Sequence, residues 1–102
     1  MQVPVAASKQ EAVKAVIDEV VAALAPNVIH IRFSFDEDWM GNPALFFRVL
    51  LSDEASQEEN MHPIANRVRA LLDQRLDLDL GFPYVNFRSF SEQQASKDPA
   101  WA

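Results

Sequence analysis

Asp36, Glu37 and Asp38 stand in a row, followed at once by Trp39 and then by Met40-Gly41-Asn42-Pro43. Acids so grouped could hold a hard cation, do acid–base work, or decorate a recognition tip built on the tryptophan. Asp36-x-Asp38-x-x-Gly41 matches positions one, three and six of an EF-hand calcium loop. Position five, however, is Met40, which has no oxygen, and position twelve is Phe47, where a bidentate Glu is required. The cation match collapses. A solvated hairpin tip and a recognition tip remain, the second with Trp39 as the contact side chain between Asp36, Asp38 and the flexible Gly41.

His30 and His62 are the only histidines, and neither lies in an HxxxH or HExxH spacing. His30 falls among polar neighbours and His62 precedes Pro63, which suits exposed or capping roles. The chain has no cysteine, hence no thiolate zinc site, disulfide or thiol nucleophile. Its two glycines form no phosphate-cradling loop, there is no GxSxG, and Lys9, Lys14 and Lys97 sit in polar surroundings. Acid–base chemistry would fall to Asp, Glu or His, and none is recognisably placed. No catalytic residue, metal or cofactor is assigned. A weak metal-dependent hydrolase using His30 with residues 36–38 is the least favoured reading.

Composition bounds the rest. A chain of 102 residues makes one domain with a single core. A net charge of −6 disfavours a nucleic-acid partner, for which a basic footprint is expected. No apolar run approaches the roughly 18–20 residues that span a bilayer. The opening MQVPVAASKQEAV lacks the basic start and apolar centre of a secretory signal. A cytoplasmic protein without membrane contact is the expectation.

The elements that would position these residues follow from periodicity. Ser8-Lys9-Gln10-Glu11 reads as a capping box. Val13, Val16, Ile17, Val20, Val21 and Leu24 then form one helical stripe, ended by Pro26-Asn27. Val28 to Phe35 alternates as a strand, with Ile29, Ile31, Phe33 and Phe35 inward and His30, Arg32 and Ser34 outward. Ala44 to Ser52 is a second strand, and the acidic stretch is the tip of the hairpin between them. Ser56-Gln57-Glu58-Glu59 offers another capping box, and a helix striped by Met61, Ile64, Val68, Leu71, Leu72 and Leu76 starts near Asn60 or His62. The alternating Leu76-Asp77-Leu78-Asp79-Leu80 ends it, Gly81-Phe82-Pro83 turns the chain, and Tyr84 to Phe90 is the third strand. Residues 1–7 and 91–102 are expected to be irregular tails, the second with Trp101 as its one anchor. The order α-β-β-α-β, with one apolar stripe per helix, predicts an α+β two-layer sandwich. Its three-stranded sheet is mainly antiparallel, and both helices lie on one face.

That packing leaves the other sheet face open. With Leu45, Phe47, Val49, Leu51, Val85 and Phe87 directed inward, the outer side gathers Arg32, Phe46, Arg48, Leu50, Tyr84 and Arg88. Arginine and aromatic residues are enriched in protein interfaces, and an exposed Phe46 and Leu50 would otherwise be an apolar liability. Two other readings compete. The face resembles the stacking platforms of sheet-based RNA binders, or the arginines merely pair with nearby acids and shield apolar surface with their stems.

Asp38-Trp39-x-Gly41-x-Pro43-Ala44-x-Phe46-Phe47-Arg48-Val49-x-Leu51-Ser52-Asp53, with Asn86-Phe87-Arg88-Ser89-x-Ser91-Glu92-Gln93, resembles a family of small uncharacterised bacterial proteins. The likeness runs from about Val28 to the C-terminus. It implies a bacterial origin but brings no activity, cofactor or site residue with it. The element order is also similar to the cytoplasmic domain of cation-diffusion facilitators, at the level of fold alone. The expected function is a non-catalytic interaction module that homodimerises or binds a small protein partner through the open face. The alternative is a small acidic regulator that neutralises a toxin-like or nucleic-acid-directed partner.

Overall fold

The computed structural model describes residues 7–76 and 81–101. The fold is α+β: α1 (Ala7–Leu24), β1 (Val28–Glu37), β2 (Pro43–Leu51), α2 (Glu58–Arg75), β3 (Phe82–Ser89), α3 (Phe90–Ser96) and a closing 3-10 turn, Pro99–Trp101. The expected tail at residues 1–7 lies outside the described residues except for Ala7, which opens α1. The expected alternation over residues 77–80 also lies outside them.

The strands lie in the order β1-β2-β3. β1 and β2 form the antiparallel hairpin, but β3 runs parallel to β2, so the sheet is mixed rather than mainly antiparallel. The connection explains the direction. An 18-residue α2 spans about 27 Å, close to the roughly 30 Å of the nine-residue β2. One helix therefore returns the chain to the end where β2 began, as parallel pairing requires. Gly81 makes the re-entry possible. Its φ is +109°, and a Cβ there would lie 3.1 Å from the Pro43 carbonyl oxygen.

The core joins the apolar stripes to one side of the sheet. Val13, Ile17, Val20 and Leu24 of α1 and Val68 and Leu72 of α2 form one buried cluster with Ile31, Leu45, Phe47, Val49 and Leu51. Phe33, Phe35, Val85 and Phe87 pack against its margin, half-buried. Ile29 departs from the expected inward set and is exposed. The β1–β2 register slips between Val28 and His30, so Val28 takes the buried place opposite Leu51 and Ile29 becomes the extra residue.

Neither expected capping box forms. α1 already includes Ser8. α2 starts at Glu58 with Gln57 as its N-cap and no side-chain cap, because the Ser56 hydroxyl donates to the Ser52 carbonyl instead. Pro63 lies inside α2. It and Glu59, whose carbonyl it cannot serve, are both exposed, so water can satisfy that oxygen.

The C-terminal segment is the largest correction. Residues 91–102 were expected to be irregular, yet α3 begins directly after β3, and Phe90 is helical rather than the last residue of the strand. A capping box starts the helix: the Glu92 amide donates to Ser89 Oγ at 3.1 Å and the Ser89 amide to Glu92 Oε1 at 3.4 Å. Lys97, in the left-handed region at φ 52°, closes it with its amide on the Gln93 carbonyl.

Candidate interaction face

Register sorts the outer sheet face into rows. From one end these are His30–Leu50–Arg88, Arg32–Arg48–Asn86, Ser34–Phe46–Tyr84 and Asp36–Ala44–Phe82. All six residues expected on the face, Arg32, Phe46, Arg48, Leu50, Tyr84 and Arg88, therefore share one side of the sheet. The face is not uniformly open.

The first row is covered by the chain's own C-terminal segment. Trp101 is buried, and the Arg88 guanidinium lies 4.5 Å from its ring centroid. Arg88 also donates to Gln93 Oε1 at 3.2 Å and forms an ion pair with Asp98 at 3.6 Å. His30 Nε2 lies 2.9 Å from the Trp101 carbonyl oxygen, and Arg32 donates to the Pro99 carbonyl at 3.1 Å. Leu50, expected to be an exposed contact residue, is only 4% accessible. It is core, not interface. The buried Gln93 has both ends of its amide engaged, since its Nε2 donates to the Asp98 carbonyl at 2.8 Å while its Oε1 accepts from Arg88.

Arg32 and Arg48 are direct cross-strand neighbours, an arrangement that like charges disfavour. They turn apart. Arg32 reaches toward the covered end and Pro99, whereas Arg48 points toward the open end and donates to Ser34 Oγ at 3.3 Å.

Past that row the face is aromatic and, among the described residues, less covered: Phe46 and Tyr84 are half-buried and Phe82 is exposed. Phe46 stacks on Tyr84 with centroids 5.0 Å apart, and Phe82 tilts against Tyr84 at the same distance. Phe82 is 63% exposed. Tyr84 joins this corner to the hairpin tip by donating its hydroxyl to Asp38 Oδ2 at 3.3 Å. Withdrawal from solvent and then the Asp38 charge push the Tyr84 phenol above its ordinary value.

The acidic stretch is organised by Asp38. Its Oδ1 accepts the amides of Met40 and Asn42, both at 2.9 Å, its backbone pairs with Asn42, and its carbonyl accepts from Gly41. Gly41 has the positive φ of +81° that closes the loop. Asp38 is thereby a turn-former whose oxygens are already engaged, while Trp39, 89% exposed, and Met40, 65% exposed, are held at the tip. No family model, curated protein or solved structure matches this chain. The chemistry of the face is therefore read from its own geometry.

The face offers ring surfaces, stacked at Phe46–Tyr84 and tilted at Phe82–Tyr84. Among the described residues no three His, Cys, Asp or Glu side chains converge on a point that could hold a metal ion. His30 is turned toward Trp101 and away from residues 36–38, and His62 is exposed on α2. Sequence reading missed Ser89, Gln93 and Asp98, which shape the face by fixing its cover. Ser89-x-x-Glu92 was the available signal, a capping box placed directly after a strand. Asp53 adds a second clamp, accepting from the Ser91 hydroxyl and the Ser91 amide. Those two donors hold its carboxyl below the usual range.

Proposed function

We propose that this domain is a non-catalytic protein-interaction module whose contact surface is the open end of the outer sheet face with the adjoining hairpin tip. The observation that carries this reading is the continuous set of rings Phe46, Tyr84 and Phe82, tied through Asp38 to a tip that exposes Trp39 and Met40. Large apolar side chains held on a rigid sheet and a tight turn lose little conformational freedom on binding, and tryptophan and tyrosine dominate binding hot spots. Arg48, anchored through Ser34 beside Phe46, supplies a positioned charge at the margin.

Affinity purification of the tagged chain from its native host tests the reading. A protein partner should co-purify, and Phe46→Ala combined with Arg48→Glu should reduce its capture about tenfold or more with an unchanged circular dichroism spectrum. Capture unmoved by that pair of substitutions would overturn the assignment of the surface. A chain that captures no protein and stays monomeric at high concentration would overturn the function.

The acidic-regulator alternative draws on the same tip, where exposed Asp36 and Glu37 lie beside Trp39. It requires a basic partner whose binding weakens steeply with salt. The module reading requires binding carried by the rings and little moved by salt.

A further inference from the structure

Among the described residues, Arg88 pairs with Asp98 and Arg75 with Glu19, whereas Arg48 meets no acid. That is unexpected in a chain with 15 acidic side chains against 9 lysines and arginines. Arg48 is half-buried on the central strand β2. Its hydrogen bond to Ser34 Oγ uses one of the five N–H groups that a guanidinium carries. A neutral hydroxyl leaves the charge uncompensated. Arg32 across the strand pair adds a like charge, so an uncharged side chain of similar length would cover the same apolar surface at lower cost. Shielding by the stem therefore does not account for a guanidinium at this position.

The surroundings of Arg48 suit a carboxylate. Its neighbour on β3 is Asn86, exposed and with its side-chain amide unbonded among the described residues. Guanidinium, amide and the Ser34 hydroxyl are all donors, and a carboxylate can take two parallel bonds from the guanidinium fork. In the next row Phe46 and Tyr84 stack at 5.0 Å, and Phe82 follows one row further. Rows on one face are two residues apart, so about 7 Å separates each from the next. An extended segment of about four residues thus reaches from Phe82 to Arg48. On the far side of Arg48 the face is closed across all three strands. The Trp101 ring lies over Arg88, its carbonyl meets His30, and Leu50 between them is buried. A segment that crosses the rings toward Arg48 meets this wall and can go no further along the sheet.

We propose that the partner protein is held by its C-terminal end, with the α-carboxylate on the Arg48 guanidinium and the preceding apolar side chains on Phe46, Tyr84 and Phe82. This inference rests on the module reading above and names the chemistry of the partner. The cover laid down by Trp101 marks where the bound segment stops, and Arg48 answers the charge that a chain end carries. Ser34 and Asn86 offer further donors beside it. One half-buried ion pair is screened less than surface charges, so binding stays only weakly dependent on salt.

NMR titration of the isotope-labelled full chain tests the site with small probes: N-acetyl-leucyl-phenylalanine, its C-terminal amide, and N-acetyl-aspartyl-phenylalanine amide. The free acid should shift the Arg48 side-chain and Phe46 backbone signals, and its amide should bind about tenfold more weakly. Arg48→Gln keeps a donor for Ser34 and should bring acid and amide to equal affinity, with Arg48→Lys in between. Phe46→Ala should weaken both probes and preserve the difference between them. Equal binding of acid and amide, no shift with either, or an aspartyl probe as tight as the free acid would each overturn the chain-end assignment. Capture from the native host separates this inference from the reading it rests on. A partner captured equally by Arg48→Gln and the unaltered chain, but lost with Phe46→Ala, would overturn this inference and leave the module reading standing. A chain that captures no protein overturns the module reading, while the probes still decide for or against the carboxylate site on their own.

Discussion

The two ends of the outer sheet face are made by the same three strands with the same alternation, yet they meet different fates. At one end Leu50 is 4% accessible under Trp101, while at the other Phe82 is 63% exposed beside Tyr84 and Phe46. Strand chemistry does not separate them, since both carry large apolar groups and an arginine. The separation comes from the twelve residues Phe90–Trp101, which start with a helix capped by Ser89, bring Gln93 and Asp98 to Arg88, and lay Trp101 on the first row. A sheet face is thus open or closed according to what the chain beyond the sheet can cover. The less covered portion is the part for which we propose a role in recognition.

Substitutions at the two ends should therefore read out differently. Trp101→Ala should have the largest effect, costing about 3 kcal/mol in chemical denaturation, and should raise binding of an apolar dye as Leu50 is uncovered. Leu50→Ala should cost about 2–3 kcal/mol, whereas Phe46→Ala, half-buried in the next row but one, should cost about 1 kcal/mol and act mainly on partner capture. Equal costs for Leu50 and Phe46 would erase the distinction between the ends.

The Asp53–Ser91 clamp should give a smaller, pH-dependent effect. Its carboxyl is held below the unfolded value by the Ser91 hydroxyl and amide. The charged form is thus favoured in the fold. The stabilisation is complete above the unfolded pKa of about 3.9 and is lost as pH falls through the lower folded value. Asp53→Asn should remove this acid dependence and loosen α3, seen as faster amide exchange at Ser91 and Glu92 near neutral pH. The smallest stability effect belongs to Trp39→Ala, within about 0.5 kcal/mol, because the ring is 89% exposed. Its effect on partner capture should nonetheless be large, and a Trp39→Ala variant that binds normally would confine recognition to the sheet.

Much of the fold was legible where periodicity is local. Val13, Ile17, Val20 and Leu24 at helical spacing, and Leu45, Phe47, Val49 and Leu51 at strand spacing, are the residues that build the core. The misread positions are those where two signals compete. Val28 and Ile29 are both apolar, and only pairing with Leu50 and Leu51 decides which is the bulge. Ser56 and Ser89 each begin an S-x-x-E pattern. At Ser56 the hydroxyl is drawn to the Ser52 carbonyl, while at Ser89 it meets the Glu92 amide. The candidate site was half legible: alternation assigns Arg32, Phe46, Arg48, Leu50, Tyr84 and Arg88 to one face, but not what lies over it.

The sequence by itself determined an α+β domain with two amphipathic helices, a hairpin with an acidic tip, and arginines and rings on the sheet face away from the core. These follow from side-chain period and turn chemistry, which act over a few residues. The parallel placement of β3, the bulge at Ile29 and the burial of Leu50 beneath Trp101 were decided only in three dimensions. They depend on how far a helix carries the chain and on which distant groups then meet. Trp101 and Leu50 are 51 positions apart in the sequence, and no local period can link them.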